Sequence, residues 1–262
     1  AAKKIESGSK YFTGQHGNNY GTHRYIKSTI EEVTSDKFIT WGWTDGLPQH
    51  TPAFIFKTTR RKAKNHNPRG GLLLIELDVG IRLSTLWDTT AEFKAYFEDQ
   101  QKFIDRLQKP IRNQLTIRLG YRYTKTKWFE EDQWRSNRRE IKLDYGDCGI
   151  GKLIENSRLV IHSYDSTGIL ETLSQNIPTL CFWQNGFDHL RESAKPYYQL
   201  LVDTGILHLN PESVTKNVNE VWDDVDGWWG QDKMQDARAQ FCNQYAKVSK
   251  NPVRELKQIL LR

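Results

Sequence analysis

Cysteine is scarce in this chain and scattered where it occurs. Cys148, Cys181 and Cys242 are its three cysteines in 262 residues. An odd number at such distances matches neither a disulfide framework nor a zinc spacing, and points to a reducing, cytoplasmic setting. No apolar run approaches the ~20 residues of a membrane-spanning helix. A signal-peptide pattern is missing as well. No stretch of five or more basic residues occurs, which argues against a nucleic-acid partner. The densest basic cluster is Arg60-Arg61-Lys62 with Lys64. Neither a G-x-G-x-x-G fingerprint nor a P-loop lysine motif is found, which speaks against dehydrogenases and ATPases. The absence of a G-x-S-x-G elbow speaks against a hydrolase.

What is present suits a soluble enzyme with an anionic ligand. The net charge is +6, and aromatic residues make up 12% with nine tryptophans. Positive charge favours a nucleotide, a lipid-linked anion or a membrane surface, and aromatic faces are a weak hint of sugar. Ala1 to Glu6 reads as the tail of a helix and Lys10 to Thr13 as a strand already inside a fold. The chain is therefore expected to be part of a longer one.

The stretch Arg158 to Trp183 organises the rest. Leu159-Val160-Ile161 is a strand buried on both faces. His162, Ser163, Tyr164 and Asp165 break the run. Ile169, Leu170 and Leu173 then recur at helical spacing, and Pro178 opens a second strand, Thr179 to Trp183. This is a β-α-β unit with hydroxyls at its strand-to-helix turn. Its helix start suits a phosphate, because unpaired N–H groups and the positive dipole end point there. Ser166 and Thr167 would line it, with His162 and Tyr164 beside it, and Glu171, one turn on, would reach a ribose hydroxyl. The competing reading is that Asp165, Ser166 or Thr167 simply caps the helix.

Upstream, a strand at Tyr11–Thr13 runs into Gly14-Gln15-His16-Gly17-Asn18-Asn19-Tyr20-Gly21, where glycines let backbone approach a ligand. His16 falls at a strand end, where open α/β sheets do chemistry. Gln15, Gly17 and Asn18 would then face the acceptor or sugar. A helix is expected over 24–34 and a strand over 37–41. Residues 44–70 lack periodicity and read as a linker, placing a boundary between 1–70 and 71–262. Strands are expected at 71–79, 115–119 and 141–145, and helices at 90–107 and 128–138. Arg118 and Arg122 flank the carboxyl end of the 115–119 strand and would pair with a phosphate. Helices are further expected at 190–202, 211–222 and 232–248. Asp224-Val225-Asp226 matches a D-x-D metal motif, but at a helix end and not after a strand, so no metal is expected.

The wording SRLVIHSYDSTGILETLSQNIPTL resembles surface-carbohydrate biosynthesis transferases, which are similar to bacterial Kdo (3-deoxy-manno-octulosonate) transferases. More distantly it resembles CDP-glycerol polymerases. QHGNNYG and DKFITWGW are similar to the same pattern, and the CDP-glycerol enzymes carry a His-Gly at the matching strand end as a candidate base, here His16. The resemblance implies a GT-B-like α/β fold, a Rossmann-like nucleotide-binding domain preceded by the end of a second α/β domain. Terminal helices would cross back onto that first domain, with Trp228-Trp229 as anchor. It also implies a CMP-activated donor such as CMP-Kdo, no cofactor, and a glycan or lipid-linked acceptor. Peripheral contact with the inner membrane would follow from such an acceptor. The family's catalytic carboxylate is not mapped; Asp88 is the candidate, with Asp78 and Glu76 behind it. The alternatives are a CDP-alditol phosphotransferase and a non-enzymatic anion-binding module.

Overall fold

Aliphatic runs buried on both faces build the larger of two parallel sheets. The computed structural model describes residues 2–26, 28–59, 66–77, 93–119, 130–138 and 140–261. In chain order the strands are β1 (Phe12–Gly14), β2 (Lys37–Thr40), β3 (His50–Pro52), β4 (Gly71–Ile75), β5 (Leu115–Arg118), β6 (Lys142–Asp144), β7 (Ser157–His162), β8 (Thr179–Phe182) and β9 (Leu207–His208). Leu73, Leu74, Ile117, Leu159, Val160, Ile161 and Leu180 are all fully buried. That is why these segments read as unbroken apolar runs.

The six strands β4 to β9 lie in the order β6-β5-β4-β7-β8-β9, every pair parallel. Counted within the sheet, this is the doubly wound order 3-2-1-4-5-6, whose winding reverses between its first and fourth strands. Here the reversal falls between β4 and β7. The fold class is thus the expected one, α/β with a Rossmann-like parallel sheet preceded by a smaller parallel sheet. Helices Phe93–Asp105 and Pro211–Val221 meet each other on one side. The Thr215 hydroxyl, which donates to the Pro211 carbonyl of its own helix at 2.7 Å, lies 3.2 Å from the Phe103 carbonyl, and the Phe103 ring stacks on Phe182 at 5.3 Å. The second helix starts as its residues dictate: Asn210 accepts the Ser213 N–H at 2.8 Å, with Pro211 at the first position.

The smaller sheet has the order β1-β2-β3, again parallel. Two expectations need correction here. The helix expected over 24–34 spans only Ile30–Thr34, set by a capping box in which Thr29 and Glu32 bond each other's backbone. Residues 22–24 are instead drawn to another segment: His23 forms an antiparallel bridge with Leu190. The supposed linker 44–70 contains β3, and Ala53, Phe54 and Ile55 after it are buried. A three-residue strand of His, Thr and Pro carries no alternation to read.

The chain's last segment returns to this first sheet. Lys247 donates its N–H to the Trp41 carbonyl at 2.9 Å and accepts from the Ile55 N–H at 2.8 Å. Further on, the Pro252–Leu261 helix places Ile259 against Ile39, Ala53 and Phe54. The tryptophan pair does not anchor this crossing. Trp229 donates its indole N–H to the Asn176 side chain at 2.9 Å, within the larger sheet's own layer. Nor do the D-x-D carboxylates converge on a metal site: Asp224 accepts the Gly227 N–H, and Asp226 meets His66 at 2.5 Å. Among the described residues no helix is long and apolar enough to cross a membrane.

Candidate functional site

In doubly wound sheets the ligand crevice opens outside the strand carboxyl ends where the winding reverses. In this chain that point lies between Ile75 and His162, the last residues of β4 and β7. A hydrogen-bond chain stitches the two ends together. The Ser163 hydroxyl donates to the Ile75 carbonyl at 3.0 Å, so the Tyr96 hydroxyl must donate to Ser163 at 2.7 Å, and Tyr96 in turn accepts the Leu77 N–H at 2.7 Å. Burial, then the nearby Glu76 charge, pushes the Tyr96 hydroxyl well above its ordinary range. Glu76 is itself buried and accepts from the Trp134 indole at 3.1 Å.

The turn after β7 leads straight into the Thr167–Ser174 helix. Ser166 has the extended backbone of an N-cap, yet its side chain makes no cap bond. Its buried Oγ has no hydrogen-bond partner among the described residues. The Thr167 hydroxyl accepts the Asn18 N–H at 2.9 Å. Neither hydroxyl therefore caps the helix. Gly168 has a steric reason: a Cβ there would lie 2.7 Å from the His162 ring. Tyr164 is half-buried just beyond the strand. Glu171 faces Lys57 of the first unit, at 3.5 Å.

His162, expected beside the helix start, is buried in the interior. It is 1% exposed, its Nε2 lies 3.3 Å from the Thr172 hydroxyl, and burial pushes its imidazole down to about 3. Burial likewise brings His208 down to about 4, partly offset by the Gly205 carbonyl. Both rings are neutral when folded and protonate near pH 6.5 when unfolded. The unfolded chain binds more protons below that pH, so this contribution is complete above pH 6.5 and is lost as pH falls toward 4. Each ring accounts for about 1.36 kcal/mol per pH unit. Urea melts are expected to show stability roughly 4 kcal/mol lower at pH 5 than at pH 7 from these two groups. A flat profile over that interval would mean that neither ring is buried neutral.

Arg118 is placed at the end of β5 as expected, but already has partners. Its guanidinium pairs with Asp144 and donates to the Cys148 carbonyl at 2.7 Å. Arg122, Asp78 and Asp88 lie outside the described residues.

The His16 loop is fixed by its neighbours. Gln15 is buried, and its Oε1 accepts from the Trp41 N–H at 3.0 Å and the Trp43 indole at 2.8 Å, while its Nε2 donates to the Gly17 carbonyl. Gly21 is required by the same packing, since a Cβ there would fall 2.4 Å from the Trp43 ring. Gln15 and Asn18, expected to face the acceptor, are thus buried and hold the loop in place. His16 itself is exposed, with 77% of its side chain accessible. Its Nε2 lies 2.5 Å from the Tyr20 hydroxyl and 3.3 Å from Glu31. Tyr20 donates its one proton to Glu31, so it must accept from His16 Nε2–H. The neutral imidazole then carries its basic lone pair on Nδ1.

Asn18 also donates to Asp165 Oδ1 at 2.7 Å, which draws the loop over the carboxyl end of β7. Asp165 is the centre of the junction. Its Oδ2 lies 3.1 Å from His189 Nε2 and 3.4 Å from His23 Nε2, and the Tyr198 hydroxyl donates to it at 2.9 Å. Backbone bonds run alongside: Arg24 N–H to the His189 carbonyl at 2.9 Å, and Arg191 N–H to the Thr22 carbonyl at 2.7 Å. Burial opposes ionisation of Asp165, but His189 and His23 outweigh it and hold the carboxyl well below its usual range. Sequence reasoning saw Asp165 only as a possible cap. It had no signal for His23 or His189, which are isolated residues in turns far apart along the chain.

Among solved structures the chain is similar to the wall teichoic acid polymerase TagF. The two are 10% identical, with a TM-score of 0.48 over 97% of this chain and 68% of that one. It is also similar to WaaG, a glycosyltransferase involved in lipopolysaccharide biosynthesis, at 14% identity and a TM-score of 0.43, covering 92% of this chain and 64% of that one. No curated protein sequence matches. Residues 1–260 match the family described as LIC12162 family transferase, and the chain belongs to that family.

Proposed function

We propose that this transferase is a glycosyltransferase of GT-B type in bacterial surface-polysaccharide assembly, using a CMP-activated sugar such as CMP-Kdo and a glycan or lipid-linked acceptor. The observation that carries this reading is the meeting of two features at the winding reversal. On one side is the helix start after β7, with the orphaned Ser166 hydroxyl; on the other is the exposed His16. A nucleotide phosphate at the helix start gains from the N–H groups and the dipole. Glu171 is then one turn away for the ribose. His16 Nδ1 takes the proton of the acceptor hydroxyl, and the resulting imidazolium is stabilised by Glu31 behind Tyr20. A catalytic carboxylate from the segment after β4, Asp88 among the candidates, completes the proposal. The cytidine assignment rests on the sequence resemblance.

Thermal shift with CMP, CDP, UDP and GDP tests the donor. Selective stabilisation by CMP is expected. Preference for CDP would favour the alditol phosphotransferase, and equal or stronger shifts with UDP or GDP would overturn the cytidine assignment. The double change Ser166→Ala, Thr167→Val tests the place. Losing hydroxyls that bond a charged group is expected to cost about 1.5–3 kcal/mol, roughly 10- to 150-fold in affinity. Calorimetric titration showing wild-type affinity would remove the phosphate from this turn.

A further inference from the structure

We infer that His23, Asp165 and His189 hold one divalent transition-metal ion, with zinc chemistry, at the junction of the two sheets. One ligand atom from each residue lies within 4.8 Å of the others. The Nε2 atoms of both histidines approach Asp165 Oδ2, at 3.4 and 3.1 Å. Zinc bonds of ~2.0–2.1 Å in a tetrahedron set neighbouring donor atoms roughly 3.3 Å apart, so these separations are those of two tetrahedral edges.

His23 supplies the second observation. It is 0% exposed, and neither of its ring nitrogens has a hydrogen-bond partner among the described residues. Its Nε2 sits 3.4 Å from Asp165 Oδ2, within ion-pair distance but short of hydrogen-bond geometry. Two donor atoms this close but not bonded are arranged as if both addressed a third point. A buried imidazole without a well-aligned hydrogen-bond partner is otherwise costly.

The surroundings support the donor set. Asn18 Nδ2 holds Asp165 Oδ1 at 2.7 Å and so orients the carboxylate through its other oxygen, while the Tyr198 hydroxyl reaches Oδ2 at 2.9 Å. Two imidazoles with one carboxylate suit zinc and its neighbours, whereas magnesium and calcium take oxygen ligands. Three protein ligands leave a fourth position for water. The ion's role is structural. His23 belongs to the first unit and Asp165 and His189 to the second, all three are buried, and His16 is not among the ligands. The ion takes no part in the proposed transfer chemistry, although Asn18 ties Asp165 to Thr167, and its test needs no donor or acceptor.

The chain, purified without a polyhistidine tag, is to be assayed for metal by mass spectrometry and titrated with Zn²⁺ and Co²⁺. One equivalent per chain is expected, with the visible absorption of tetrahedral Co²⁺. Free Zn²⁺ a hundredfold above Kd should raise the melting temperature by about 5–10 °C, a chelator should reverse this, and Mg²⁺ should leave it unmoved. His23→Asn and His189→Asn should each abolish the stoichiometric binding. A wild-type chain that takes up no Zn²⁺, and whose melting ignores both Zn²⁺ and chelator, would overturn the proposal and leave a hydrogen-bonded network only. That wild-type measurement decides even if the variants do not fold.

Discussion

His16→Ala in the complete enzyme is expected to slow transfer by about 10²–10⁴-fold while leaving nucleotide affinity nearly unchanged. The separation of effects follows from geometry. The ring is mostly exposed, and its Nε2 is turned to Tyr20 and Glu31. Little packing is lost with it, so the melting temperature should hardly move. Asn18, the residue that touches the helix start, remains bonded to Thr167 and Asp165. Single-turnover rates set beside nucleotide titrations read the two effects independently. Unaltered turnover in a folded variant would make His16 a surface residue and leave the proposed reaction without a base.

Asp165→Ala should damage the fold itself. Four side chains converge on that carboxylate: Asn18, His23, His189 and Tyr198. Removing one partner of a buried charged set typically costs about 3–5 kcal/mol, because the others are left without theirs. Two of the four, Asn18 and His23, come from the first unit, so the loss should also loosen the His16 loop. Denaturant melts measure the first effect, and hydrogen exchange at residues 16–23 measures the second. A change within about 0.5 kcal/mol, as at an ordinary surface position, would show that the junction does not depend on this residue.

The larger sheet was legible because burial on both faces writes itself as aliphatic runs. Leu72 to Leu74, Leu159 to Ile161 and Leu180 were found at their places for that reason. The strand-to-helix turn after β7 was legible as well, since polar residues interrupt the run where the sheet ends. What escaped was non-local. β3 is three residues long and is a strand only because it pairs with β2. Gln15 and Asn18 look like ligand-facing polar residues in a glycine-rich loop, and only the fold reveals that Trp41, Trp43, Asp165 and Thr167 take up their hydrogen bonds. Arg118 was recognisable as a strand-end arginine suited to an anion, while the anion it meets, Asp144, comes from the adjacent strand β6. His23 and His189 meet through a bridge that no local pattern announces.

The return of Lys247 to Trp41 and Ile55 bears on the order in which the molecule is made. The ammonium of Lys37 donates to the Ile259 carbonyl at 2.8 Å, across 222 residues of sequence. A growing chain displays Ile39, Ala53 and Phe54 long before Ile259 exists to cover them. The smaller sheet is therefore completed after the larger one, although its strands come before it in the sequence. Contacts of such long sequence separation slow folding and leave apolar surface open in the interval.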